Sequence, residues 1–500
     1  MKRSLRIFVC LLLCLVLLPR WTPPARAAFR DVPASGWATD AINRAVATGL
    51  IQGRTADTFG MGAPMTRGAF VTVLCRFFGW KPVTPAAPTF ADTGADVWCF
   101  SSVETAVANG ALTRQSSTFR PGDAITREEM AVMLVRALGY TAIAGLEQGL
   151  PCPFTDVTTN RGYLTMAYHL GISNGVTADT FAPTRTATRE QAVVMLMRIY
   201  DRYLRKTPLI GGLLSRDTAV PAAVSVTAVP AVQLVSGDTP AADRMDPAQA
   251  AALRDAAHAA GAKALLHVIG FEYALTGDMT AAAAAIAKRA ADGGYDGVLL
   301  DVPDLPALRG DAYTALVTAL RAALPDGLLW VTADAPAPEK DTAAYRYAAL
   351  AAQADRLVLR IDTDARMAGN FPTDPPQPLE NIYYALAVLK SSVPGEKLAL
   401  TLSSTGSAWQ NTGSLGSMDG AAIAAMMARP DTAAEYSARY ATACLVQTQY
   451  GSHTVVWYND AVSAAAKAQL CALFGVSAFF INDLSGLAVA EWSPVNGLLP

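Results

Sequence analysis

Three arginines in this chain occupy positions where a cation is least welcome. Arg67, Arg127 and Arg189 each follow a threonine that opens a helical pattern. A positive charge in a first helical turn faces the positive end of the helix dipole and costs roughly 0.3–1 kcal/mol. The residues around them need no such explanation. Thr126 with Glu129 and Thr188 with Gln191 have the spacing of a capping box, in which the hydroxyl and the acid or amide each satisfy a backbone N–H. The first copy, Thr66, has Ala69 at the third position. Arg76, Arg136 and Arg198 lie at the favourable end of the same helices. An unfavourable charge repeated three times, beside the free N–H groups of a helix start, points to an anion.

A second kind of chemistry sits further on. In the stretch Gly294 to Pro306, GYDGVLLDVPDLP, Asp301 and Asp304 fall where a β-strand should run out. Carboxylates at such a position serve as acid or base, or cap and order a loop. The four histidines, His169, His258, His267 and His453, have no metal-ligand spacing with any cysteine or carboxylate pair, so no metal site is expected. No glycine-rich phosphate loop follows a predicted strand, which counts against a doubly wound sheet as the alternative fold of the second half; no cofactor is expected.

The elements that must position these residues fall into two regions. The arginines belong to a sentence written three times, with copies starting at Phe29, Phe90 and Phe154. Each copy has a Phe-x-Asp opening, a small-apolar helix ending at a glycine, a Thr-Phe, and the Thr-Arg helix start. In the first copy Trp37, Ala41, Ile42, Ala45 and Val46 mark one helix face before Gly49. A period of roughly sixty residues fits a helical repeat array whose units cannot bury a core alone. From Lys206 to about Pro221 the composition turns to Pro, Gly and Ser and reads as a linker. Beyond it, β-rich runs alternate with Ala-rich amphipathic segments such as Pro247 to Ala260 and Thr280 to Ala291. The runs are Ala264 to Ile269, Gly297 to Val302, Leu328 to Ala333, Arg356 to Ile361, Lys397 to Leu402, Thr454 to Tyr458 and Ala478 to Ile481. That alternation is what a (β/α)8 barrel of about 250 residues requires.

The N-terminus pairs Lys2, Arg3 and Arg6 with an apolar run from Ile7 to Leu18 and the small-x-small triplet Ala25-Arg26-Ala27, the pattern of a secretory signal peptide. The run is too short for a membrane span, which takes about 20 apolar residues. Removal of that peptide takes Cys10 and Cys14 and leaves Cys75, Cys99, Cys152, Cys444 and Cys471, an odd set that is no disulfide framework. Pairing of Cys444 with Cys471 stays open beside the favoured reading of buried free thiols. With a net charge of −2 and no basic block, nucleic acid is excluded as a partner on electrostatic grounds.

The openings FRDV, FADT and FTDV, the GLIQG and GISNG turns, and the TRGA, TREE and TREQ helix starts together resemble S-layer homology repeats. The resemblance implies an all-α pseudo-trimer that binds secondary cell-wall polysaccharide, often pyruvylated, on Gram-positive-type envelopes. Arg67, Arg127 and Arg189 would then hold the acidic sugar, with Asp31, Trp37, Asp92, Trp98 and Asp156 beside them. This chain departs from the pattern at Ala69, at Arg114 in place of the turn glycine, and at Thr159 in place of the tryptophan, with Tyr163 one turn later.

The second half, from Ala264 to Gly486, resembles glycoside hydrolase family 18, most closely the bacterial branch acting on spore-cortex or peptidoglycan N-acetylglucosamine linkages. The carriers are AKALLHVIG, the Gly294 to Pro306 stretch, LLWVTADAPA, ADRLVLRIDTD and VPGEKLALTLSSTGSAW, in order along the chain. The family implies a strand ending Asp-x-Glu, the Glu protonating the glycosidic oxygen while the substrate's acetamide attacks, outside the paired-carboxylate scheme. Here Asp301 matches the Asp, but Pro303 holds the Glu position and carries no proton to give. The family tyrosine near Arg360 to Thr363 is also missing, as is the last strand's tryptophan near Ile481 and Asn482; Trp409 remains.

These readings make residues 1–27 a signal peptide, 28–81, 88–140 and 152–203 the three repeats, 204–221 a linker and 222–500 a TIM-like barrel. The expectation is a secreted protein held non-covalently on the cell wall, its barrel a non-catalytic glycan-binding or scaffold unit with Trp409 as a glycan contact and Trp330 and Trp457 as further stacking candidates. The alternative is an active glycosidase on peptidoglycan or chitin-type glycans, with Asp301 and a relocated acid such as Asp304, Glu272, Asp334 or Asp362.

Overall fold

A computed structural model describes residues 29–498 apart from 147–148, 204–206, 217–218, 238–239, 339, 362–374, 412, 450 and 486–492. The expected signal peptide and Asp362 lie outside the described residues. Two architectures follow one another: a threefold helical unit, then an eight-stranded parallel barrel.

Each repeat contributes two helices. The first are Thr39–Ala47, Phe100–Ala108 and Arg161–His169; the second are Arg67–Phe78, Arg127–Ala137 and Arg189–Tyr203. Gly49, Gly110 and Gly171 end the first turns with φ of 72°, 73° and 65°, a left-handed conformation that glycine adopts without penalty. Thr126 and Glu129 form the complete capping box. In the third copy only half of it forms: Thr188 N–H donates to Gln191 Oε1 at 3.2 Å, while the Thr188 hydroxyl finds no partner among the described residues. Ile42 and Ala45 face the core, but Trp37 precedes its helix and is 62 % exposed, so it does not share their buried face.

The three copies are closed on one another by backbone. The segment before each second helix is extended, and Met65 N–H donates to Ala187 O (2.9 Å), Ala187 N–H to Ile125 O (2.8 Å) and Ile125 N–H to Met65 O (2.8 Å). This cycle of three bonds lies at the centre of the unit, its side chains buried.

The barrel strands are β1 (Leu209–Leu213), β2 (Val224–Leu234), β3 (Lys263–Ile269), β4 (Gly297–Asp301), β5 (Leu328–Asp334), β6 (Arg356–Arg360), β7 (Leu398–Leu402) and β8 (Ala478–Ile481). Each is parallel to its neighbour, and β1 pairs with both β8 and β2, which closes the ring. Strand alternation sends every second side chain inward. Leu265, Leu299, Trp330, Val358, Ala399, Ala478 and Phe480 form the middle layer, with Trp330 2 % exposed and edge-on to Phe480 at 6.1 Å. Trp330 is therefore the barrel's filling and not a sugar platform.

Two expectations are corrected. The supposed linker contains β1, whose glycines are clearance: a Cβ on Gly211 would stand 3.2 Å from the Trp330 ring, and one on Gly212 2.6 Å from Leu484. The run Thr454 to Tyr458 is not a barrel strand. It belongs to Ser452–Tyr458 in a five-stranded antiparallel sheet, inserted between β7 and β8, that has its own core around Ala408, Ile423, Leu445 and Val456. Cys444 and Cys471 are free and buried, and burial pushes the Cys444 thiol up to about 12. The third repeat meets the barrel through Arg202 Nη1 to Leu473 O (2.8 Å) and a buried His169–Tyr383 hydrogen bond (2.9 Å).

Trp330→Ala should destabilise the barrel by about 3–5 kcal/mol through the cavity it leaves. A urea titration followed by far-ultraviolet circular dichroism checks this; an unchanged midpoint would contradict the packing described.

Candidate functional sites

In the helical unit the Phe-x-Asp carboxylates organise loops. Asp31 accepts the N–H groups of Phe59, Gly60 and Met61 at 2.6–2.8 Å. Asp92 accepts those of Phe119 and Arg120, and Asp156 those of Phe181 and Ala182, at 2.7–2.8 Å. Burial works to raise the Asp31 and Asp92 carboxyls, and the backbone donors outweigh it, holding both below the usual carboxylate range.

Each ordered loop presents a phenylalanine ring and carbonyl to the arginine of the preceding repeat in the cycle. Arg67 Nε donates to Phe119 O (2.8 Å), Arg127 Nε to Phe181 O (2.9 Å) and Arg189 Nε to Phe59 O (3.1 Å). Each guanidinium also lies 4.7–5.0 Å from the same ring's centre, within cation–π range. The arginines that a helix start disfavours thus join one repeat to the next, a duty that spacing alone did not reveal. Burial lowers the pKa of all three.

Around this shared core the copies differ. Arg67 Nη1 is ion-paired with Glu129, which also takes Arg120 at 3.0 Å. Arg127 Nη2 donates instead to Asn174 O (2.9 Å) and Arg189 Nη2 to Gln52 O (2.8 Å). Trp98 is 68 % exposed and lies against the helix start of the first repeat, where a Cβ on Gly68 would be 3.1 Å from its ring. Trp98 thus lies beside the residue that follows Arg67. A cavity of about 420 Å³ is lined by Arg67, Phe119, Arg120, Glu129, Arg136 and Asn160, among others, and Trp98 is not part of its wall. At the equivalent place in the third copy, Thr159 and Asn160 both donate to Glu128 at 2.7 Å. Tyr163 does not stand in for the missing indole: its ring receives Arg136 at 5.2 Å.

The other site is the C-terminal mouth of the barrel. On the four adjacent strands β3 to β6 the inward positions after the apolar layer are His267, Asp301, Thr332, Asp334 and Arg360, all polar. Asp301 Oδ1 accepts Thr332 Oγ1 (2.6 Å) and Arg360 Nη2; Asp301 Oδ2 faces His267 Nε2 (3.2 Å). Burial works to raise this carboxyl, but Arg360 first and His267 next overcome it, holding Asp301 well below the usual carboxylate range. Arg360 Nη1 reaches Asp334 Oδ1 (3.3 Å), and Lys340 Nζ reaches Asp334 Oδ2 (2.9 Å). One guanidinium therefore bridges two carboxylates.

Asp304 stands half-exposed past the strand end with φ of 51°. Its N–H donates to Asp334 Oδ2 (3.1 Å), and its carboxylate is 3.7 Å from Lys340 Nζ. Tyr345 pins the same turn, donating to Val302 O (2.8 Å) and accepting Leu305 N–H (3.2 Å). Glu272 lies in a 3-10 turn beyond β3. Trp409 sits on Gly406–Gln410 of the inserted sheet and is half-buried, and Trp457 packs edge-on against Tyr440 at 5.8 Å. Arg360, Lys340, His267 and Thr332 were not singled out from sequence. Counting alternate positions outward from Val358 would have found Arg360 as an inward cation. Among the described residues no group of three or more His, Cys, Asp or Glu is placed to hold a metal ion, and no helix is long and apolar enough to cross a membrane.

Arg360→Leu should cost about 3–5 kcal/mol, because it removes the one cation that Asp301 and the buried Asp334 share. Asp304→Asn should change stability by less than about 0.5 kcal/mol. Chemical denaturation of both variants checks the contrast; equal stabilities would mean that Arg360 is not the hub of the mouth.

Comparison with known proteins agrees with this division. The S-layer homology domain model matches residues 28–71, 89–131 and 153–193, and the glycosyl hydrolases family 18 model matches residues 255–481. The repeat region is 28 % identical over 177 residues to an S-layer protein of Bacillus thuringiensis subsp. finitimus, covering 35 % of this chain and 21 % of that protein. It is 30 % identical over 178 residues to an endoglucanase of Bacillus sp. (strain KSM-635), covering 34 % and 18 %. The chain thus spans about a fifth or less of these relatives. The barrel is similar in fold to a chitinase from Chromobacterium violaceum, with a TM-score of 0.51, 19 % identity and coverage of 58 % of this chain and 98 % of that one. It is also similar to the Bacillus cereus spore cortex-lytic enzyme SleL, with a TM-score of 0.50, 15 % identity and coverage of 59 % and 74 %.

Proposed function

The chain carries three S-layer homology repeats followed by a glycosyl hydrolase family 18 domain, and from that premise we propose that it is a cell-surface protein held non-covalently on an acidic wall polysaccharide. The grooves between repeats are the anchor, with Arg67, Arg127 and Arg189 for the acidic group and Trp37 and Trp98 for sugar faces. Asp31, Asp92 and Asp156 hold the loops that form the groove walls. Supporting this are guanidinium groups set at all three helix starts, Arg67 and Arg127 buried and Arg189 half-buried, with the exposed Trp98 indole beside the first of them. Relatives that share only the repeats differ in their remaining parts, from S-layer protein to endoglucanase, which suits a portable anchor.

The barrel is proposed to be a non-hydrolysing glycan-binding or scaffold unit, with Trp409 as a contact to N-acetylglucosamine glycans such as peptidoglycan. The observation that carries this is the state of Asp301: both its oxygens are engaged, by Arg360, Thr332 and His267, and the next inward position is Pro303. A carboxylate locked in that way is a poor partner for a substrate acetamide. General acid catalysis is worth roughly 10²–10⁴-fold, and no acid stands at the proline. The reading with Asp304 as a relocated acid has in its favour that this carboxylate is half-exposed at the mouth; against it is its ion pair with Lys340 Nζ, 3.7 Å away, which would have to be given up.

Residues 28–205 should sediment with purified wall sacculi and should fail to do so after hydrofluoric-acid removal of the secondary polymer; retention on stripped sacculi would sink the anchor reading. Incubation of the chain with chito-oligosaccharides should release no new reducing ends. Turnover that Asp304→Asn abolishes would establish the alternative.

A further inference from the structure

The third repeat and the barrel share a seam, and an imidazole is buried in it. His169 ends the helix Arg161–His169, and its Nδ1 is hydrogen-bonded at 2.9 Å to the hydroxyl of Tyr383 on the barrel helix Leu379–Leu389. The two rings lie 5.9 Å apart, and the barrel's Phe474 ring lies 6.2 Å from the same tyrosine. Beside them Lys390 donates to Tyr168 O (2.9 Å) and stands 4.9 Å from the Tyr168 ring centre. Arg202 Nη1 reaches both Leu170 O in its own repeat and Leu473 O in the barrel. The packing is incomplete. A cavity of about 500 Å³ is lined by Asp201 and Arg202 of the repeat and by Ala468, Val476 and Leu498 of the barrel, so part of the seam holds by little more than its polar contacts.

The charges here leave no counter-ion for a protonated imidazole. The charge that acts on His169 is the ammonium group of Lys390, across the seam. Other cations at the seam are Arg161, which lines a crevice with Tyr383, and Arg198 and Arg202, which donate to carbonyl groups of the third repeat. The carboxylates of the meeting helices, Asp201 and Glu380, are ion-paired with Arg44 and Arg439. A proton on His169 is thus buried beside a like charge.

We infer that the barrel is docked on the third repeat as one body at neutral pH, and that protonation of His169 releases it. The joint works in this way whatever either part binds. Burial, and then Lys390, hold the docked imidazole down to about 4 against 6.5 for an ordinary one, so the undocked state takes up the proton first. Docking is therefore at full strength above about pH 6.5 and weakens as the pH falls toward 4; at pH 5 linkage makes it roughly 30-fold weaker. While docked, the barrel mouth keeps a fixed direction relative to the repeats. Once released, only the chain between Tyr203 and Leu209 joins the two.

Small-angle X-ray scattering of the intact chain at pH 8 and pH 5 reads the joint, with far-ultraviolet circular dichroism showing that both parts stay folded. The native chain should be compact at pH 8 and have a larger radius of gyration at pH 5. His169→Gln, which keeps a partner for Tyr383 and takes no charge, should stay compact at both. Lys390→Gln removes the facing cation and should move the opening to lower pH; it carries the test if His169→Gln does not fold. A native chain extended at pH 8 or still compact at pH 5 overturns the inference. So does an opening that these substitutions leave unchanged, or one that comes with loss of secondary structure.

Discussion

Everything in the N-terminal half depends on a closed cycle of three backbone hydrogen bonds joining Met65, Ile125 and Ala187. None of the repeats can bury an apolar face alone, and an open row of three would leave two ends exposed. Closing the row removes the ends and places each helix start against the loop of the next copy. The arginines then follow from the geometry. Each reaches across to a phenylalanine carbonyl and ring, and each loop that offers them is ordered by its own aspartate. The proposed binding groove lies at this interlock, where each guanidinium fastens one repeat to the next.

The barrel shows the opposite relation between structure and chemistry. Its middle layer is filled by Trp330 and neighbouring aliphatics, and the polar layer above closes on itself through Arg360. An active carboxyl needs either an apolar wall that raises its pKa or room to exchange partners. Asp301 has neither. Lys340 and the hydroxyl of Tyr345 complete the arrangement by fixing the turn that carries Pro303 and Asp304. The mouth has the anatomy of a packed polar core.

How far this was legible from sequence depends on how local the signal was. The threefold period, the glycine-terminated helices and most of the barrel strands are written in short-range pattern, and Ala264 to Ile269 or Ala478 to Ile481 needed no tertiary information. β1 was hidden because Leu209 to Leu213 is glycine-rich, and the glycines answer to Trp330 and Leu484, which are distant in sequence. Thr454 to Tyr458 has the composition of a barrel strand, and only its partners place it in the inserted sheet. At the sites, position was readable and duty was not. Arg67, Arg127 and Arg189 stood out as anomalous charges, yet their partners lie about 50 to 130 residues away. Arg360 carried no anomaly, because an arginine ending a strand is ordinary until its inward direction is known.

The central claim is that the chain grips the wall and does not cut it. The direct measurement is incubation of the intact chain with purified sacculi, sedimentation, and mass spectrometry of the supernatant. The account predicts that the chain leaves the supernatant with the sacculi and that no soluble glycan fragments appear. Soluble fragments ending in N-acetylglucosamine, released in proportion to time, would contradict it.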